Sequence, residues 1–245
     1  MKGAKIRLYV DQPLGQGQSV PLSRDQAHYL FGVMRLSAGD AVLLFNGQAG
    51  EWRAEIVEAG KRGGMVKCTE QTAPQRFPPD LWLLFAPIKK ARTDFIVEKA
   101  AELGAARICP VQTEFTNAER IRRDRLQAHA VEAAEQCGGT YVPEVNNIRK
   151  LTDILKDWPE DRNLIFCDEA LADATAASFP ESIGSEAAPR KAAILIGPEG
   201  GFSETERHRL RHMATTISLG PRILRADTAA VAALTLWQSQ FGDWI

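Results

Sequence analysis

The 245-residue chain has no apolar run near the roughly 20 residues needed to span a bilayer. Its first residues, MKGAKIRLYVDQ, carry charge but no apolar h-region, so they are not read as a secretory signal. Cysteine is scarce. Cys68, Cys109, Cys137 and Cys167 stand far apart and form no C-x-x-C, so no zinc site or redox pair is indicated. They read as buried or free thiols in a reducing cytoplasm. An excess of one charge is also missing. A formal net charge of −1 argues against a protein that coats nucleic acid by bulk charge, though not against a local basic face. KKAR at 89–92, ERIRRDR at 119–125 and RHRLRH at 207–212 offer such a face, although each alone reads as a solvated helix surface.

A hydrophobic share of 44% with 25% charged residues is the balance of a soluble globular protein, and the length suits one large domain or two smaller ones. The patterning changes near residue 75. Before it, KIRLYV, DAVLLFNG, EWRAEIVEAG and GGMVKCTE read as short strands between Gly and Asp turns, interrupted by one helix over SRDQAHYLFGVMRL with Ser23 as N-cap. A small β-barrel-like domain over 1–72 is expected, then a proline-rich linker over 73–80. From 81 to 245 strands and helices alternate, which argues for an α/β domain with a mainly parallel sheet. Its strands are LWLLFAP, ARICPV, NLIFCDEA, KAAILIGP and TTISLG. In its first helix Ile88, Phe95, Ile96, Ala100 and Leu103 fall on one face, and Gly104 suits a left-handed C′ position. The closing helix, TAAVAALTLWQSQF, has Asp227 as candidate N-cap. No internal repeat is visible, and the Ala/Ser/Pro-rich stretch 171–190 is expected at the surface.

ILIGPEGGFSETE, 194–206, reads as the end of a buried strand, a glycine-rich turn and a helix opened by an S-x-x-E capping box at Ser203 and Glu206. The turn lacks the G-K-[ST] of a P-loop and the G-x-G-x-x-G of a dinucleotide site. ISLGPRILRADTAAV, 217–231, repeats the strand, Gly-Pro turn and helix. Two such turns at neighbouring strand ends make one crevice, because open α/β sheets bind ligands at the carboxyl ends of their strands. Arg222, Arg225 and Asp227 would stand at its mouth, with Asp168 and Glu169 ending a third strand. Backbone groups with a few carboxylates suit a zwitterionic ligand without phosphate. His208 and His212 are four apart on a helix but lack a third ligand, so no metal site is expected.

The pair ILIGPEGGFSETE and LGPRILRADTA resembles the C-terminal signature of the RsmE-type 16S rRNA (uracil-N3) methyltransferases, of the SPOUT class. EKAAELGAARICPVQTEFT resembles that family's mid-chain signature, and AHYLFGVMRLSAGD with LLFNGQAGEWRAEI its N-terminal domain. The resemblance covers nearly the whole chain and keeps order and spacing. It departs in two places: Asp227 stands where the family often has Glu, and Gly138 and Gly139 where it tends to have Arg.

The resemblance implies a SPOUT-type, trefoil-knotted C-terminal domain and a small PUA-like N-terminal barrel. It implies S-adenosylmethionine as methyl donor, bound by Ile196, Gly197, Pro198, Gly200, Gly201, Leu219, Gly220, Ile223 and Leu224. N3 of uracil is a poor nucleophile until its proton leaves, so a base and an anion-stabilising cation are needed. Arg225 first, then Arg222, are candidates for the cation, and Asp227 or Glu199 for the base. Arg35, Lys89, Lys90, Arg92, Arg122 and Arg123 are candidate RNA contacts. The implied partners are small-subunit ribosomal RNA, naked or within the 30S subunit, and a second copy of the chain; the implied location is the cytoplasm. A SPOUT enzyme acting on tRNA or a ribose hydroxyl is the alternative within the class, and a non-catalytic RNA-binding module the alternative outside it. The N-terminal barrel and GPRILR favour rRNA base methylation.

Overall fold

The computed structural model describes residues 4–117, 121–172 and 191–245. Glu119 falls outside them, as do Arg120 and most of the expected surface stretch, from 173 to 190. The chain divides into two compact units: residues up to Phe77 together with Ala134–Val142, and Pro78–Ala133 together with Pro143–Ile245. The segment 134–142, placed in the larger domain by the sequence reading, thus clusters with the smaller unit.

The smaller unit is a five-stranded mixed sheet of β1 (Arg7–Tyr9), β2 (Ser19–Leu22), β3 (Ala41–Phe45), β4 (Glu51–Gly60) and β5 (Gly63–Ala73). Its order is β1-β3-β4-β5-β2, with β1 and β3 parallel and the other pairs antiparallel. Alternation in β2 turns Val20 and Leu22 inward, and Leu8, Leu44, Ile56 and Val66 join them in one core. Ser23 caps α1 (Arg24–Ala27) in a capping box closed by Gln26, and a π-helical turn, His28–Val33, continues it. The single expected helix is therefore two short pieces. Arg7 pairs with Glu51 at 2.6 Å and donates to the carbonyls of Ala134, Glu135 and Gly139. A guanidinium is thereby spent on free carbonyls at a helix end.

The larger unit holds a parallel sheet of β6 (Leu81–Phe85), β7 (Arg107–Gln112), β8 (Glu144–Val145), β9 (Arg149–Lys150), β10 (Asn163–Cys167), β11 (Ala192–Ile196) and β12 (Thr215–Ile217). Strand order is β12-β10-β11-β6-β7-β8, with β9 beside β7. Every residue of β11 is buried, and β6 and β10 are nearly so, which is why they read as unbroken apolar runs. The helices are α2 (Lys90–Glu102), α3 (Arg123–Cys137), α4 (Leu151–Lys156), α5 (Glu204–Met213) and α6 (Ala226–Phe241). Leu151, Leu155 and Leu210 from α4 and α5 pack with Leu84, Phe166 and Leu195 of the sheet, while α6 packs on β11 and α2.

Two sequence expectations change. Phe95 is exposed, because the buried stripe of α2 runs through Thr93, Ile96, Val97 and Ala100 at helical spacing and Phe95 falls beside it. The Lys99 ammonium, one turn on, covers its ring at 5.5 Å. Arg225, not Asp227, is the N-cap of α6; Asp227 sits in the first turn, where its carboxylate accepts from the Thr228 N–H at 2.9 Å. Trp237 of α6 is fully buried within its own chain. Gly104 follows α2 with φ of 75°, the left-handed position expected.

The sheet's two ends differ. At the amino ends of β6, β10 and β11, buried Arg162 donates to the Asp80 and Ala192 carbonyls and to Asp80 Oδ2 at 2.8 Å, and stacks 3.6 Å over Trp82. The carboxyl ends carry the glycine loops.

Candidate functional site

The loop after β11 is shaped by its glycines. A Cβ on Gly197 would lie 2.5 Å from the Phe202 ring, so a side chain there would push that ring away. Phe202 instead meets Phe166, the penultimate residue of β10, edge-to-face at 4.9 Å. Gly201 has φ of 69°, favourable for glycine, and donates to the Pro198 carbonyl at 2.9 Å. Ser203 and Glu206 then form the expected capping box.

The loop after β12 is tied to the one after β10. Ser218 Oγ donates to the Leu171 carbonyl at 2.8 Å and accepts from the Gly220 N–H at 3.2 Å, with Gly220 at φ of 105°. Asp168 has a side chain wholly out of solvent. It pairs with Arg207 and, at 3.1 Å, with Arg211, both on α5; Arg207 also pairs with Glu169. Burial works against the charge on Arg207, but Glu169 and Asp168 outweigh it and raise the guanidinium above its usual pKa. The two acids at the end of β10 therefore brace loops against α5 while also bordering the cavity between those loops. The sequence reading missed Arg207 in this role, because RHRLRH looks like a uniformly solvated run.

Between these loops lies a cavity of about 470 Å³. Ile196, Gly197 and Pro198 form one wall, and Leu219, Gly220, Ile223 and Leu224 another. Glu199, Arg222 and Arg225 line it as well. Ile223 is 74% exposed, so its apolar surface stands at the mouth. Buried Cys167 lines the floor, and desolvation pushes its thiol far up, so it stays a neutral apolar group. Gly200 and Gly201 are not among the lining residues. Gly201 shapes the turn, and Gly200 borders a second cavity of about 720 Å³. That cavity shares Lys89, Pro198 and Glu199 with the first and is also bordered by Lys90, Phe115, Arg122 and Arg125.

Arg92, expected among RNA contacts, lies in the first cavity instead. Its Nη1 donates to Glu199 Oε1 at 3.0 Å, and its Nε lies 3.7 Å from Asp227 Oδ2. Both candidate bases thus share one cation. Arg222 and Arg225 are exposed and make no ion pair among the described residues. The signal for Arg92 was positional: it lies in the first turn of the helix after β6, whose carboxyl end opens on the same crevice. Of the other candidates, Arg123 donates to the Val145 carbonyl at 2.8 Å, away from both cavities. Arg35 is in the smaller unit, at φ of 57°, a strained value for a non-glycine residue. His208 and His212 stack edge-to-face at 4.5 Å, and no group of three metal-ligating side chains occurs among the described residues.

A family model for an RNA methyltransferase domain matches residues 75–238, and one for an RNA methyltransferase PUA domain matches 22–64. The ribosomal RNA small subunit methyltransferase E of Rickettsia conorii is 31% identical over 93% of each chain. The chain belongs to the ribosomal RNA small subunit methyltransferase E family. The family member from Buchnera aphidicola of Schizaphis graminum is 30% identical over 99% of each chain. The methyltransferase E of Neisseria gonorrhoeae, solved bound to S-adenosyl methionine, superposes with a TM-score of 0.84 at 26% identity, covering 98% of this chain and 99% of its own. A Legionella pneumophila methyltransferase solved with the cofactor SAM superposes at 0.86 with 30% identity, over 98% and 100%. The fold is thus the SPOUT-type α/β fold of this family with a PUA-like N-terminal domain.

Proposed function

We propose that the protein transfers a methyl group from S-adenosylmethionine to N3 of one uridine in small-subunit ribosomal RNA. The observation that carries this reading is the three-loop cavity at the carboxyl ends of β10, β11 and β12, in a family with relatives solved around that cofactor. The residues fit the group. Gly197 and Gly220 contribute only backbone to the lining. Leu219, Leu224 and Ile196 offer adenine an apolar slot, and Glu199 a carboxylate toward the amine-bearing end. Asp168 and Glu169 stiffen the cavity through Arg207.

S-adenosylmethionine supplies a methyl group already activated on sulfonium, so alignment is the chain's main contribution on the donor side. On the acceptor side the N3 proton passes to Asp227 or Glu199, directly or through water. The Arg225 guanidinium faces the charge that develops on the uracil oxygens as N3 is uncovered. Arg92 fixes both carboxylates and so limits where that proton can go. We further propose that the domain is knotted, that the protein is a cytoplasmic homodimer, and that it acts on RNA alone or in the 30S subunit. Calorimetry with S-adenosylmethionine in EDTA tests the cofactor, and light scattering at micromolar concentration tests the dimer. Binding of ATP without a response to S-adenosylmethionine contradicts the first, and a monomer mass contradicts the second.

A further inference from the structure

We propose that the second cavity receives the methyl-accepting nucleotide itself, swung out of its stack, with its base against Phe115 and a flanking phosphate on Lys90 and Arg122. The assignment rests on the methyltransferase reading and adds to it the place and the mode of acceptor binding.

Four observations converge. The two cavities meet across a wall of Lys89, Pro198 and Glu199, so a ligand in one lies next to a ligand in the other. A reaction that joins two substrates needs such neighbouring sites. Lys89, Lys90, Arg122 and Arg125 all line the second cavity, where Glu199 of the shared wall is the one carboxylate among the described residues. Lys90 and Arg122 are exposed and make no ion pair among the described residues, which leaves them available to a phosphodiester. Arg125 differs: it is held by Asp94, a buried acid on α2, and forms a fixed wall.

The third observation is Phe115, a large aromatic left 41% exposed inside a cationic cavity. It packs closely on the glycine loop, where a Cβ on Gly200 would lie 3.3 Å from Phe115 Cβ. Solvent-facing rings amid lysine and arginine are how proteins hold unpaired bases, because every base has a face to stack. Fourth, N3 of uracil lies on the pairing edge, so a paired base cannot present it; the base must leave its partner before reaction. A cavity of about 720 Å³ beside the donor site has the room for an extruded nucleotide, within the range of small-ligand pockets.

The test uses the full-length protein with small-subunit rRNA, as transcript and as 30S subunits from cells lacking the protein. Single-turnover methyl transfer is measured for wild type, Phe115→Ala, Phe115→Trp and Arg122→Ala, beside calorimetry with S-adenosylmethionine. Phe115→Ala is expected to lower transfer about tenfold to a hundredfold with donor affinity unchanged, and Phe115→Trp to restore most of it. Arg122→Ala is expected to weaken RNA affinity and flatten its salt dependence. A second measurement needs no variant: rRNA carrying 4-thiouridine is photo-crosslinked to wild type, and the peptide bearing Phe115 or Leu126 is expected to carry the adduct. Wild-type transfer by both Phe115→Ala and Arg122→Ala, with crosslinks elsewhere, overturns the pocket assignment and leaves the methyltransferase reading standing. Failure of wild type to bind S-adenosylmethionine or to transfer methyl overturns both.

Discussion

The Arg92 guanidinium donates to Glu199 Oε1 at 3.0 Å although 107 positions separate the two residues. Glu199 comes from the loop after β11 and Arg92 from the first turn of α2, which follows β6. They meet because β6 and β11 are parallel neighbours whose carboxyl ends open side by side. Asp227, 3.7 Å from the same guanidinium, adds the first turn of α6.

This arrangement separates stability from rate. The pair is partly exposed, so Arg92→Ala is expected to cost no more than about 1 kcal/mol, or about 2–4 °C in melting temperature. Methyl transfer is expected to fall by on the order of tenfold to a hundredfold, because two carboxylates lose their alignment. Thermal melts and single-turnover kinetics on one preparation decide the matter. A large loss of stability with a normal rate in the surviving folded fraction would show that Arg92 only holds the fold.

Arg225 carries the sharper catalytic expectation. Arg225→Ala should lower the rate at saturating RNA and donor by on the order of a hundredfold, about 3 kcal/mol, while leaving donor affinity nearly unchanged. Arg225→Lys should recover little, since an ammonium lacks the planar fork. Normal turnover by Arg225→Ala once RNA saturates would make its role positional and move attention to Asp227 and Glu199.

Asp168 tests the brace beneath the site. Its side chain is wholly buried between Arg207 and Arg211, so Asp168→Ala leaves Arg207, itself mostly buried, without one of its two acids. Removing one partner of a buried pair costs about 3–5 kcal/mol, or very roughly 6–20 °C in this size class. Circular dichroism melts read this directly; a shift under about 2 °C would mean that Glu169 alone satisfies Arg207.

The buried thiols set an alkaline limit. Desolvation raises Cys109 from an ordinary 9.0 to about 12 and raises Cys68 and Cys167 as well. The unfolded chain therefore ionises these thiols first, binding fewer protons than the folded one above pH 9. Folding stability is expected to be untouched below that point and, for Cys109, to fall between pH 9 and 12 by up to about 1.4 kcal/mol per pH unit. Urea titrations from pH 7 to 11, with Cys109→Ala as the flatter comparison, check the sign. At pH 8, iodoacetamide should modify exposed Cys137 well before the other three.

The periodic parts of this fold were legible. Ile194 to Ile196 end a strand, Ser203 and Glu206 close a capping box, and Gly104 takes the left-handed position after α2, because each depends on neighbours in sequence. Short elements were not: β8 and β9 have two residues each and α4 six, too few for a period to show. At the site, the two Gly-Pro loops were visible as a pair, yet the fate of the charges was not. Asp168 was placed at the crevice, which it does line, but its arginine partners were not visible, and Arg92 looked like a phosphate contact, since a charged residue carries no local mark of its partner. Only the strand order, β12-β10-β11-β6, determines that Asp168 meets Arg207 and that Arg92 meets Glu199.

The most direct measurement is mass-spectrometric mapping of methylated nucleosides in small-subunit rRNA from cells with and without this protein. The account predicts that one N3-methyluridine disappears, that wild type restores it, and that Arg225→Ala does not. Retention of every N3-methyluridine in the deletion strain, or loss instead of a ribose 2′-O-methyl group or a tRNA methylation, would contradict it.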